Sequence, residues 1–157
     1  MKLHHYTIDV KWKGNVGRGT ESYTSYKRNH IISSEGKTII DGSSDPSFRG
    51  DKTKYSPEDL LVASISACHM LWFLHLCADA KIIGEEYTDT ATGIMEETPD
   101  GGGRFREVTL RPDVVITDEL QIEKASKLHD RANKLCFIAN SCNFPVYHEP
   151  IFRIKSA

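Results

Sequence analysis

Four cysteines and a scatter of histidines are the residues of this chain best equipped to react. Cys68 opens the run Cys68-His69-Met70-Leu71-Trp72-Phe73-Leu74-His75-Leu76-Cys77. Cys136 and Cys142 flank Phe137-Ile138-Ala139-Asn140-Ser141 near the end of the chain. A cysteine acts through its thiolate, and an unperturbed thiol is mostly protonated at neutral pH. Cys68 lies about twelve residues into an expected helix, ~18 Å from its start, too far for the helix dipole to acidify the sulfur. It is then either a small packed hydrophobe or a reactive thiol, and the second reading requires a cation beside the sulfur and a route in for substrate. Arginine suits that role because it keeps its charge when partly buried. His129, His148 and Glu149 offer a base for a cysteine nucleophile, although residues of these types are more often exposed surface. His69, His75 and Cys77 share a helix with Cys68 but lack a spacing that gathers metal ligands, so these histidines read as core or interface residues. Cys136 and Cys142 are near enough in sequence to pair locally, or one of them is idle. No serine-hydrolase elbow, phosphate loop, dinucleotide fingerprint or H-E-x-x-H pattern occurs.

The elements that must position these residues can be read from periodicity. His4 to Trp12 alternates as a strand, with Tyr6, Ile8, Val10 and Trp12 on one face. Gly14, Gly17 and Gly19 mark a turn, Glu21 to Tyr26 reads as a returning strand, and Asn29–Ile32 with Lys37–Ile40 reads as a hairpin turned at Ser34-Glu35-Gly36. Asp41 to Lys54 is a polar loop. Ser56 is a good helix N-cap, Pro57 fits the first helical position, and Glu58 and Asp59 suit the positive end of the dipole. The helix should run to about Asp79. From Leu60 to Ala78 it carries no Asp, Glu, Lys or Arg, which nearly suffices to span a bilayer. Ser64, Ser66, His69 and His75, and the strands on both sides, favour the buried axis of a soluble domain instead. Tyr87–Glu97 and Arg104–Ile116 form the next expected hairpin, turned at residues 99–103. Thr117 or Asp118 caps a second helix to about Lys134, and Pro145 to Lys155 closes as a strand interrupted by Pro150. Connections this short predict a mostly antiparallel sheet in an α+β fold.

At 157 residues the chain is expected to form a single domain over residues 1–157. Lys+Arg 20 against Asp+Glu 22 leaves no basic face with which to neutralise phosphates, so a nucleic-acid partner is not expected. The four cysteines are too few for a disulfide scaffold, and the stretch from Met1 to Lys11 has no apolar run of the kind a secretory signal needs. A reducing, cytoplasmic setting is therefore expected, with no membrane partner.

Ser56-Pro57-Glu58-Asp59-Leu60-Leu61 followed by Ser66-Ala67-Cys68, together with Ala132-Asn133-Lys134-Leu135-Cys136, resembles the two cysteine motifs of the OsmC/Ohr family of hydroperoxide-reducing proteins, in its OsmC-like branch. The similarity in element order spans essentially the whole chain. It implies an intertwined homodimer with antiparallel sheets wrapped around long central helices, and a thiol peroxidase needing no bound metal, flavin or haem. Carried over by motif, Cys68 attacks an organic hydroperoxide, Cys136 resolves the product, and Glu58 is the motif carboxylate. An arginine beside the reactive thiol is also implied. Arg49, in Phe48-Arg49-Gly50, is preferred over Arg18, in Gly17-Arg18-Gly19. An external dithiol, often of lipoyl type, would restore the thiols. The chain departs from the family in having Phe137 where a proline often follows the second cysteine, and Cys142 as an extra thiol. The alternative is a dimeric apolar-ligand binder or redox sensor on the same fold without turnover.

The implied reaction constrains the geometry. A guanidinium near sulfur lowers a thiol pKa by ~1–3 units, and a carboxylate can hold the guanidinium plane through paired hydrogen bonds. Glu58 is ten residues from Cys68, ~15 Å along a straight helix. It cannot touch the sulfur directly unless the helix breaks. A composite site at a dimer interface is expected, with an apolar pocket formed near Met70, Leu71, Trp72 and Phe73.

Overall fold

The computed structural model describes residues 1–156. The chain divides into two compact units, Met1–Leu61 and Val62–Ala157. The first unit carries a three-stranded antiparallel sheet of β1 (Asp9–Trp12), β2 (His30–Ser33) and β3 (Ile40–Gly42). β1 is shorter than its alternating sequence predicts because β2 offers partners only as far as Ser33, opposite Asp9. Upstream, Ser34 Oγ donates to the Thr7 carbonyl at 3.1 Å. The expected strand Glu21–Tyr26 does not form. The Arg28 guanidinium lies over both Tyr23 and Tyr26, 4.3 and 4.1 Å from their ring centroids, and donates to both their carbonyls, which curls the segment into turns.

Helix α1 (Pro57–Asp79) begins as its sequence predicts. Ser56 Oγ accepts from the Asp59 N–H at 3.1 Å while the Asp59 carboxylate accepts from the Ser56 N–H at 2.9 Å, a reciprocal cap. At the other end Lys81 takes a left-handed φ of 60°, so the Ile82 N–H can reach back to the Cys77 carbonyl at 2.9 Å.

In the second unit, the single hairpin expected over 87–116 is divided between two sheets. β5 (Thr92–Glu97) and β6 (Gly103–Leu110) form the hairpin, with β8 (Val146–His148) added in parallel to β6. β4 (Gly84–Asp89) pairs with β7 (Pro112–Ile116), and β9 (Ile151–Ile154) lies parallel to β7. The break falls where Pro112 cannot donate and where the Asp89 carboxylate captures the Arg111 N–H at 2.6 Å. Glu149-Pro150 likewise divides the expected last strand into β8 and β9. The fold is α+β, with antiparallel and mixed sheets and one long helix.

Helix α2 (Ile122–Leu135) follows a 3-10 turn at Glu119–Gln121, where Asp118 accepts from the Leu120 N–H at 2.9 Å. Phe73, Leu76 and Cys77 of α1 form the core with Ile82, Val114 and Ile116 and with Ala125 and Ala132 of α2. Gly93 of β5 admits a close approach: a Cβ there would fall 2.8 Å from Val62 Cγ2 of α1 and 2.7 Å from the Phe105 ring, so those side chains would have to shift.

The two ends of α1 should respond oppositely to substitution. Ser56→Ala removes the cap and is expected to cost about 1 kcal/mol. Lys81→Gly relieves a left-handed non-glycine residue and is expected to add about 0.5–1 kcal/mol. Urea unfolding midpoints of the two variants, moving in opposite directions, check this.

Candidate functional site

On α1 the buried residues are Ile65, His69, Phe73, Leu76 and Cys77, a single stripe at helical spacing. Residues on an adjoining stripe, Cys68, Leu71, Trp72 and His75, line an open groove of about 530 Å³ with Phe137 and Ile138 from the segment after α2. Trp72 and Phe137 meet edge to face at 5.6 Å, so one groove wall ties the helix to the segment following Cys136. The expected apolar lining is therefore met by Leu71 and Trp72 but not by Met70, which does not line the groove, or by Phe73, which lies in the core. Phe137 and Ile138, in a segment too irregular to read from periodicity, complete the lining.

The structure brings Cys68 and Cys136 together. Cys68 is near enough to Cys136 to act on its thiol electrostatically, and no disulfide joins them. Cys68 is half-buried on the groove, and Cys136 is fully buried behind it. Cys136 is held rigidly at the end of α2: its N–H donates to the Ala132 carbonyl at 2.9 Å, and its carbonyl accepts from Asn140 at 3.0 Å. Burial pushes the Cys136 thiol up to about 11. The Ala139 N–H, 3.4 Å from the sulfur, offsets part of that, and the neighbouring Cys68 adds to it. Cys136 is thus a thiol rather than a thiolate at neutral pH. Cys77, pushed up to about 11 by burial in the core, is a packed hydrophobe. Cys142 is half-buried and donates to the Ile138 carbonyl at 3.3 Å.

The other sequence-derived site residues, Arg49 and Glu58, belong to the first unit. Asp45 organises a loop in which its side chain accepts from the Ser47 N–H at 2.7 Å and its carbonyl accepts from Phe48 and Gly50. Arg49 ends this turn at φ 64°, a left-handed conformation unusual for a non-glycine residue. Gly50 must be glycine, since a Cβ would lie 1.6 Å from the Ser44 carbonyl oxygen. Strained residues of this kind cluster at functional sites. Arg18, the alternative, is exposed and bound to Glu21. Glu58 Oε2 is buried without a hydrogen-bond partner among the described residues. Helix α1 is unbroken between Glu58 and Cys68, so a direct carboxylate–thiol contact along it is not available.

His129, expected on the surface from residue type, is fully buried. Its Nδ1 lies 2.9 Å from Nε2 of His69, which is also buried, with the rings stacked at 5.2 Å. His148 of β8 lies 5.6 Å from His69 and binds the exposed Asp130 at 2.9 Å. Among the described residues, no three His, Cys, Asp or Glu side chains converge as a metal site. Burial pushes His129 down to about 3 and His69 down to about 4, and the neighbouring imidazoles add to both effects. Both rings are therefore neutral in the folded protein, whereas they titrate near 6.5 when unfolded. Their contribution to stability is complete above about pH 6.5 and is lost as pH falls towards 4 and then 3. Thermal melts across this range should show the loss, and a His69→Leu, His129→Phe double variant should show a flatter pH dependence.

The profile of the OsmC-like protein family matches residues 50–149 of the chain. No curated protein sequence gives a significant match. Among solved structures, an OsmC-like protein of unknown function from Vibrio cholerae is 32% identical, with a TM-score of 0.82 over 95% of this chain and 100% of that one. An organic hydroperoxide resistance protein from Elizabethkingia anophelis has a TM-score of 0.67 at 23% identity, covering 99% of this chain and 100% of its own. Another so named, from Legionella pneumophila, has a TM-score of 0.63 at 21% identity, over 96% and 98%. The last two likenesses are of fold. Taken with the paired thiols and the long capped helix, the profile match and the Vibrio cholerae structure establish that the chain belongs to the OsmC-like family.

Proposed function

We propose that the protein is a thiol-dependent peroxidase that reduces organic hydroperoxides through Cys68, with Cys136 resolving the product. The observation that carries this reading is the proximity of a groove-lining thiol to a second thiol that burial keeps protonated. The Cys68 thiolate attacks the peroxide oxygen, an S–O bond forms, the O–O bond breaks, and an alcohol leaves after taking up a proton. The resulting sulfenic acid condenses with the Cys136 thiol to give a disulfide and water. An external dithiol, of lipoyl or similar type, then reduces the disulfide. Leu71, Trp72, Phe137 and Ile138 favour the organic end of an alkyl or aryl hydroperoxide over hydrogen peroxide. Following the family motif, Arg49 is assigned as the cation for the sulfur, and Glu58, one of whose carboxylate oxygens is buried without a hydrogen-bond partner among the described residues, as the group that holds its guanidinium plane.

The site is completed in a homodimer. Helix α1 is long and apolar enough to cross a bilayer, with a mean hydropathy of 1.8, but only 28% of that window is buried within the chain, and Leu71 and Leu74 are 63% and 39% exposed. We assign this uncovered apolar face to a second copy rather than to lipid. The organic hydroperoxide resistance proteins of the same fold support the substrate class.

Consumption of cumene hydroperoxide with a dithiol reductant tests the reading. Cys68→Ser should lose activity by roughly 10²-fold or more. Cys136→Ser should complete the first oxidation and then stall. Full activity in Cys68→Ser overturns the mechanism, whereas an inactive wild type that binds fatty ligands favours the binding protein. Light scattering should give a dimer, and a fully active monomer would overturn the composite site.

A further inference from the structure

The two helices that carry the thiols are also joined by an imidazole pair for which the chemistry above has no use. His69 follows Cys68 on α1. His129 lies seven residues before Cys136, two turns and ~10 Å back along nearly the same face of α2. Their hydrogen bond, Nε2 to Nδ1 at 2.9 Å, bridges the two helices that bring Cys68 and Cys136 near one another. Phe73, four residues after His69, stacks flat on the His129 ring at 3.9 Å. The remaining ring nitrogens, His69 Nδ1 and His129 Nε2, are buried with no partner among the described residues. Among the described residues, each ring's one side-chain hydrogen bond is therefore to the other ring. Apolar residues of similar volume would fill this core without leaving polar atoms unmatched. What the polar pair adds is direction: a hydrogen bond fixes one separation and one rotation, whereas apolar packing tolerates several.

We infer that the His69–His129 hydrogen bond is a positioning clamp that holds α1 and α2 in the register at which Cys136 reaches Cys68. The clamp itself rests on geometry; its role in turnover rests on the peroxidase reading. Its chemical consequence is the closure step, in which Cys68–S–OH and the Cys136 thiol form the S–S bond and release one water. Neither histidine touches the reacting atoms.

The test measures how readily Cys136 reaches Cys68, with or without peroxide. In a glutathione redox buffer the dithiol and oxidised glutathione exchange to give the protein disulfide and two reduced glutathiones, and peptide mass mapping quantifies the Cys68–Cys136 bond. His129→Phe keeps the stack on Phe73 and removes the hydrogen bond, whereas His129→Asn keeps a polar atom near the Nδ1 position. The disulfide equilibrium constant is expected to fall about tenfold in His129→Phe, the size of one buried hydrogen bond, and to recover largely in His129→Asn. A merely structural role would lower the melting temperature and leave this constant unchanged in molecules that remain folded. An unchanged constant in folded His129→Phe overturns the clamp, as does an equal fall in both variants or a wild type that forms no such disulfide. If His129→Phe fails to fold, the His69→Leu, His129→Phe pair replaces it, with the same expected fall. Dimedone trapping with cumene hydroperoxide separates the two claims. A wild type that forms the disulfide in glutathione but no sulfenic acid with hydroperoxide overturns the peroxidase reading, while the glutathione comparison still decides the clamp.

Discussion

Two neighbouring thiols, Cys68 at the groove and Cys136 buried behind it, are the constraint around which the second unit is organised. Bringing Cys136 there requires α2 to end where it does, with the Cys136 N–H still bonded to Ala132 and the next residues turning back over the sulfur. Bringing Cys68 there requires α1 to present two adjacent stripes to different surroundings. The difference in burial matters chemically, because desolvation disfavours a thiolate at Cys136 far more than at a site open to solvent.

This double use explains why α1 has apolar residues on all sides. A helix with one buried face shows polar residues opposite, as α2 does with Glu123, Lys127 and Asp130 exposed and Ala125, His129 and Ala132 buried. On α1 the stripe through Phe73 fills the core and the stripe through Leu71 and Trp72 walls the groove. Charged residues are excluded from both, and two histidines and a cysteine take the polar and reactive positions.

Much of the local architecture was legible because it rests on local chemistry. Ser56 and Asp59 announce the start of α1 through side chains that bond within one turn, Pro57 through its fixed φ, and Asp118 caps the turn before α2. The end of α1 falls at Asp79 as its sequence predicts, although Lys81 rather than a glycine takes the left-handed position beyond it. The parallel pairings of β8 with β6 and β9 with β7 join segments far apart in sequence and leave no short-range signal. At the site, spacing alone left Cys68 open between packing and reactivity, and the family motif paired it with Cys136. The burial of His129 was missed because histidine is usually a surface residue; only its bond to His69 across sixty positions makes a neutral buried ring tolerable.

The sealed position of Cys136 also bears on how a disulfide at this site would be reopened. In thiol exchange the sulfur that leaves most readily is the one whose thiolate is most stable, and burial makes Cys136 the poorer leaving group. Electronic preference therefore directs an incoming thiolate onto Cys136, yet the exposed sulfur of the pair is Cys68. With access and leaving-group quality opposed, single thiols are disadvantaged. A reagent that carries its own second sulfur fares better, because it can capture the first mixed disulfide before the departing thiol returns.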